Sequence, residues 1–143
     1  MCLTAKDRII LIAEKDILVY KTVFDKHGEW TGIFFNDRYK YNTVVRAERF
    51  ILFGGDKRIK HLCFSYYDSV NEGFHAYRIK KKHFYMRDYT EMKRAIIPKG
   101  SEYVIGNEND IVSSDIIVFR TNKDYVKYRI NKFFNIFKTN KNE

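Results

Sequence analysis

The sequence predicts an α+β domain: a mostly antiparallel β-sheet of short strands with a C-terminal amphipathic helix. Three observations predict it. Short apolar and aromatic runs recur at spacings of about ten residues, separated by turn-forming clusters. One segment near the C-terminus places its apolar residues at helical spacing. The chain has 143 residues, 45% of them hydrophobic, with a single Pro. That is one domain's worth of chain and excludes a disordered or low-complexity polymer.

The elements follow in order. Ile17 to Phe24 is rich in β-branched and aromatic residues and reads as a strand. Asp25-Lys26-His27-Gly28 closes it as a turn, with Gly at the position that tolerates positive φ. Gly32 to Phe35 reads as a short second strand. Val44 to Phe53 is a third apolar stretch, stopped by Gly54-Gly55-Asp56. Ile59 to Tyr67 alternates as a strand does. Gly73 to Arg78, Arg94 to Ile97, Glu102 to Ile105 and Ile116 to Arg120 complete the strand set. Thr121-Asn122 caps the helix, in which Val126, Ile130, Phe133, Phe134 and Phe137 fall on one stripe. Asp124 sits in the first turn, where the helix dipole favours an acid. A weaker helical pattern runs from about Lys81 to Met92. The expected organisation is a single globular domain over 1–138, with the helix at about 123–138 and a frayed polar tail at 139–143.

The helical stripe must cover something. One choice is the protein's own sheet; the other is a partner subunit or an anionic membrane surface, which the flanking lysines suit.

Composition bounds the function. Aromatic residues reach 17%, with 12 Phe and 11 Tyr, and the net charge is +9. Residues 1–78 carry 13 basic and 10 acidic side chains, a balance of +3; residues 79–143 carry 14 and 8, a balance of +6. The positive excess points to an anionic small molecule or nucleic acid as partner, or to an AT-rich coding bias. Apolar runs such as Ile9 to Ala13 are too short to span a bilayer, so no transmembrane segment is expected. Glu14, Lys15 and Asp16 interrupt any signal-peptide pattern, which makes cytoplasmic the expected location. Cys2 and Cys63 form no disulfide framework. His27, His61, His75 and His83 show no ligand spacing, so no metal and no cofactor are expected. Walker-type, GxGxxG and GxSxG strings do not occur.

Two strings carry candidate chemistry. In Gly73-Phe74-His75-Ala76-Tyr77, strand alternation puts His75 and Tyr77 on one face. Such a pair either binds a ligand, by stacking and by imidazole donation, or forms a core histidine beside a half-buried tyrosine. In Pro98-Lys99-Gly100-Ser101-Glu102, a turn delivers Glu102 to the start of a strand. A carboxylate there is either a cleft-rim acid or an exposed turn residue. The basic clusters Lys57-Arg58-Ile59-Lys60 and Lys80-Lys81-Lys82-His83 lie near Tyr66, Tyr67, Tyr77, Phe84 and Tyr85 in sequence, the mixture that single-stranded nucleic-acid grooves use.

The start Met1-Cys2-Leu3, the segment Ile12 to Ile17 with Val19-Tyr20-Lys21, the string Gly73 to Tyr77, the string Ile97 to Tyr103, and Asp110-Ile111-Val112-Ser113 before Ile116-Ile117-Val118 occur in an order that resembles a family of small proteins of Bacteroides-type bacteria and their phages. The resemblance implies a phage or mobile-element accessory protein, in a host cytoplasm or a virion. More remotely, Tyr20-Lys21, Gly73-Phe74-His75 and Glu102-Tyr103-Val104 are similar to the ordered motifs of ADP-ribosyltransferase-like folds. Lys21 stands where those folds carry Arg, and a Ser-Thr-Ser string is missing. That similarity implies a nucleotide pocket of Tyr20, Lys21, Gly73, His75, Tyr77, Glu102 and Tyr103, with Glu102 as the catalytic acid if a transferase survives.

The expected function is a non-enzymatic binder of a nucleotide-like or other anionic ligand through a basic, aromatic-rich pocket. The alternatives are a virion or structural protein, or a homo-oligomer, docking through its C-terminal helix, and a transferase of the ADP-ribosyl type.

Overall fold

The computed structural model describes residues 3–4, 9–32, 37–47, 49–51, 57–59, 69–70, 73–80 and 90–141. The described strands are β1 (Leu3–Thr4), β2 (Leu11–Ile12), β3 (Ile17–Lys26), β4 (Glu29–Thr31), β5 (Arg38–Lys40), β6 (Val44–Arg46), β7 (Arg49–Ile51), β8 (Lys57–Ile59), β9 (Ser69–Val70), β10 (Phe74–Tyr77), β11 (Thr90–Ile97), β12 (Glu102–Ile105), β13 (Asp110–Ser113) and β14 (Asp115–Val118). One helix, α1 (Asn122–Lys141), follows them. The protein is α+β, with a predominantly antiparallel sheet and a single C-terminal helix among the described residues.

Ten strands form the main sheet. Eight run in the order β2-β12-β13-β10-β3-β11-β14-β6, and β4 and β5 extend from the end of β3. The pairs β1–β9 and β7–β8 stand apart as small antiparallel ladders. Strand β3 is central because it is long: it pairs with β11 along eight positions, from Ile17↔Ile97 to Phe24↔Thr90. Its far end turns back through His27 and Gly28, at φ +55° and +82°, so that Lys26 pairs with Glu29. Two consecutive positive φ values suit a two-residue hairpin, and the Asp25–Gly28 turn read from sequence is this one.

Several boundaries differ from the sequence expectation. The hairpin returns through β4, while residues 33–35 of the expected second strand lie outside the described residues. The stretch from Val44 divides into β6 and β7, in different sheets, and residues 52–53 lie outside the described set. Of the Ile59–Tyr67 strand only Ile59 is described. Residues 90–92, the end of the expected weak helix, are strand, and 81–89 fall outside the described residues. The ladder to β3 overrides helical spacing there, because each pairing satisfies backbone groups that one helical turn would leave open. Strand β13 went unread in the sequence; it fills the space between β10 and β12. Helix α1 runs through Lys141, past the expected end near 138; the segment has no Gly or Pro to stop it.

Register assigns each side chain a face. One face carries Val19, Val23, Ala95, Ile97, Phe74, Ala76, Ile111, Ile116 and Val118, and these buried residues make the main core. Trp30, fully buried, lies 4.7 Å from Tyr39 and 6.0 Å from Phe74 between ring centroids. Its indole N–H has no acceptor among the described residues. The opposite face carries Ile96 and Ile117, which with Phe119 form a second cluster under Tyr125 and Tyr128 of α1.

Helix α1 starts where Thr121 Oγ1 accepts the Asp124 N–H at 3.2 Å, a side-chain N-cap. The rings of Tyr125 and Tyr128 meet Phe119 at 5.5 and 5.3 Å. Tyr128 donates its hydroxyl to Asp16 at 3.1 Å, and Lys132 pairs with the same carboxylate. At 100° per residue, Tyr125, Tyr128 and Lys132 share one side. Val126, Ile130, Phe133 and Phe134 lie about 150° around the axis from it. The apolar stripe therefore points away from the body: Phe133 is 66% exposed and Ile130 49%.

Candidate functional site

A cleft of about 280 Å³ opens between β11, Tyr20 of β3 and the start of α1. Local structure explains its lining. Arg94 is the direct cross-strand partner of Tyr20, so their side chains leave the sheet on the same face. The Phe119 N–H donates to the Arg94 carbonyl at 3.0 Å, which carries the β14–β11 pairing past the strand end. That bond brings Arg120, Thr121 and Asn122 to the rim, and Lys80 completes it.

The electrostatics are one-sided. Among the described residues, Lys80, Lys93, Arg94 and Arg120 line the cleft against one carboxylate, Glu91. Lys93 Nζ is 2.8 Å from Glu91 and also donates to the Arg120 carbonyl at 2.8 Å. This pair cancels locally and leaves three cations. Arg94 lies 5.0 Å over the Tyr125 ring, which orients its guanidinium beside the helix start. The first N–H groups of α1 add their partial positive charge to the same rim. The described lining of the cleft is net positive.

The residues singled out in the sequence divide between this cleft and the sheet beyond it. Tyr20 lines the cleft, and Tyr77 of β10 is its cross-strand partner on the other side. Gly73 enters β10 at φ +107°, a value open to glycine without Cβ strain. His75 and Tyr77 share a face with Tyr20, as the alternation read from sequence requires. Glu102 of β12 is on that face too, but β13 lies between β12 and β10. Two strand spacings and two residue rises put His75 and Glu102 about 12 Å apart. Lys21 and Tyr103 project from the opposite face, toward the core.

Lys21 has an unusual environment. It is 8% exposed, and no carboxylate among the described residues pairs with it. Burial pushes its ammonium pKa down to about 8. Its cross-strand neighbour is Lys93, another cation. His75 is also largely enclosed; burial, and then the Lys21 charge, bring its imidazole down to about 4. Its ring is therefore neutral at physiological pH. Asp16 shows the opposite balance. Burial raises its carboxyl, but Lys132, the Lys99 N–H at 2.9 Å and the Tyr128 hydroxyl together hold it below the ordinary range.

Sequence reasoning did not find Arg94 or Arg120. They stand 26 positions apart; Arg94 has one basic neighbour in sequence, Lys93, and Arg120 has none. Lys80 was legible as part of the Lys80 to His83 cluster. No group of three or more metal-ligating side chains occurs among the described residues.

No family model, curated protein or solved structure matches the chain.

Proposed function

We propose that this protein is a non-enzymatic binder of a small phosphate-bearing anion of nucleotide type, held in the cleft at the start of α1. The observation that carries this reading is the grouping of Lys80, Arg94 and Arg120 around the Tyr20 ring. Guanidinium groups fit phosphate oxygens in pairs, and a tyrosine face accepts a base by stacking. The volume, about 280 Å³, lies just below the range of drug-sized ligand pockets, roughly 300–1,000 Å³, and suits a small ligand. Among the described residues the lining includes neither His nor Cys, and its one carboxylate is tied to Lys93, which favours binding over acid–base chemistry. The family resemblance would make such a binder a phage or mobile-element accessory protein. The ADP-ribosyl transferase alternative gains nothing from the cleft, because Glu102 does not line it.

Thermal unfolding against a panel of nucleotides at low salt tests the proposal. A ligand at one hundred times its dissociation constant stabilises by about 2.7 kcal/mol. Binding should weaken with salt and fall at least tenfold, about 1.4 kcal/mol, in Arg94→Gln/Arg120→Gln. A flat response to the whole panel would sink the reading.

A second reading has its own observation. The apolar stripe of α1 faces outward, which favours an interaction protein that docks through this helix.

A further inference from the structure

From the arrangement of α1 we infer that this helix lies on an anionic lipid surface, with Val126, Ile130, Phe133 and Phe134 in the interface; this rests on the docking reading just given and names its partner. The helix is held to its own body by the wrong side for a core-closing element. Tyr125, Tyr128 and Lys132 face inward onto Phe119 and Asp16, and the outward arc holds the aliphatic and phenylalanine side chains. The Phe133 and Phe134 rings touch each other at 6.0 Å, and both are more than half exposed.

Charge selects the occupant. Residues 122–141 carry six cations, Lys123, Lys127, Arg129, Lys132, Lys138 and Lys141, against Asp124 alone. A second copy of the chain would bring the same excess onto the same stripe and be repelled. Lys132 is taken by Asp16, but Lys127 and Lys138 fall on one flank of the stripe and Arg129 on the other, rather than opposite one acidic pocket. An anionic plane meets the cations on both flanks at once, and long lysine stems let their ammonium groups reach headgroups while the Phe rings sink. No helix among the described residues is long and apolar enough to cross a membrane, so α1 suits the plane of the interface.

Flotation of the full chain with phosphatidylcholine vesicles containing about 30% phosphatidylserine, beside pure phosphatidylcholine vesicles, tests the inference. The anionic vesicles should capture roughly tenfold more protein, with the excess lost in about 0.5 M salt. Phe133→Ser/Phe134→Ser and, separately, Lys127→Glu/Lys138→Glu should each lower capture roughly tenfold. All four positions are exposed, so the urea midpoint of each variant should match the parent. Equal capture by both vesicle types, or capture indifferent to both double variants, overturns the inference. A dimer in sedimentation, or retention on a polyglutamate peptide, that disappears in Phe133→Ser/Phe134→Ser without any vesicle binding also overturns it, while leaving the docking reading intact. If vesicles, dimer and peptide are all absent, both fall.

Discussion

Two aromatic groups in this protein have opposite fates. Trp30, Tyr39 and Phe74 come from three strands and pack in the core, Trp30 tilted against Tyr39 and Phe74 edge-on to both, with Trp30 fully buried. Phe133 and Phe134 are adjacent on one helix and face solvent. Side-chain chemistry is nearly the same in the two places. The difference lies in what register supplies: the Asp25↔Trp30↔Tyr39 pairing stacks one ring beside another on a covered face. In α1, Tyr125 and Tyr128 capture the contact with Phe119, and helical geometry then turns the phenylalanines outward. An apolar stripe thus states what a helix is able to bury, and the neighbouring contacts decide which side is buried.

The largest effect should come from cutting the helix in two ways. Truncation after Thr121 uncovers Ile96, Ile117 and Phe119 and should cost on the order of 5 kcal/mol, enough to leave an aggregating chain. Truncation after Lys132 keeps Tyr125, Tyr128 and the Asp16 pair and should leave the urea midpoint nearly unchanged. Equal losses from the two truncations would break the comparison.

Next in size are the aromatic substitutions themselves. Trp30→Ala should destabilise by about 3–5 kcal/mol. Phe133→Ala should stay within about 0.5 kcal/mol of the parent, as exposed positions do. Denaturant curves on both variants read this directly.

Lys21 sharpens the contrast between the core face and the helix, where Lys123, Lys127 and Lys138 are exposed. Its pKa falls from 10.5 in the free side chain to about 8 in the fold. Below pH 8 both states carry the proton, and the folded state bears the full cost of a buried charge. Between pH 8 and 10.5 the unfolded chain binds the extra proton, so stability rises with pH. A shift of this size corresponds to about 3 kcal/mol. Lys21→Met should therefore be more stable than the parent at pH 7, with the gap closing by pH 10. A variant less stable than the parent at pH 7 would mean that the ammonium has a partner.

His75 gives the smallest effect at neutral pH and acts on the acid side. Its imidazole titrates near 6.5 when free and near 4 in the fold. As pH falls from 6.5 to 4 the unfolded state takes the proton first and the parent loses stability, by about 2–3 kcal/mol at the lower end. His75→Gln should match the parent in pH dependence above pH 7 and flatten its decline below 6. Because the Lys21 charge contributes to the depression, Lys21→Met should shift the acid decline to lower amplitude.

Much of the strand content was legible because β-branched alternation and turn residues are local signals. Ile17 onward, Glu102 to Ile105 and the His27-Gly28 turn lie where those signals put them. The extension of β11 back to Thr90 was not legible. Its residues, Thr90-Glu91-Met92-Lys93, carry no strand pattern of their own and are ordered by pairing with β3. The candidate cleft was legible only in part. Tyr20 and Lys80 stood out, whereas Arg94 and Arg120 meet through the Phe119–Arg94 backbone bond, which no spacing in the sequence announces.

By itself the amino-acid sequence determined the α+β class, the alternation that puts His75 and Tyr77 on one face, the capped start of α1 and the cationic character of its length. These follow from local backbone preferences and from charge, which need no partner to be read. Tertiary structure alone decided that Lys21 is buried while Phe133 is not, that Glu102 stands two strands from His75, and that Arg94 and Arg120 converge at one helix start. Those are facts of register and packing, in which residues distant in the chain compete for the same neighbours, and the pairing of β3 with β11 and β10 settles which of them win.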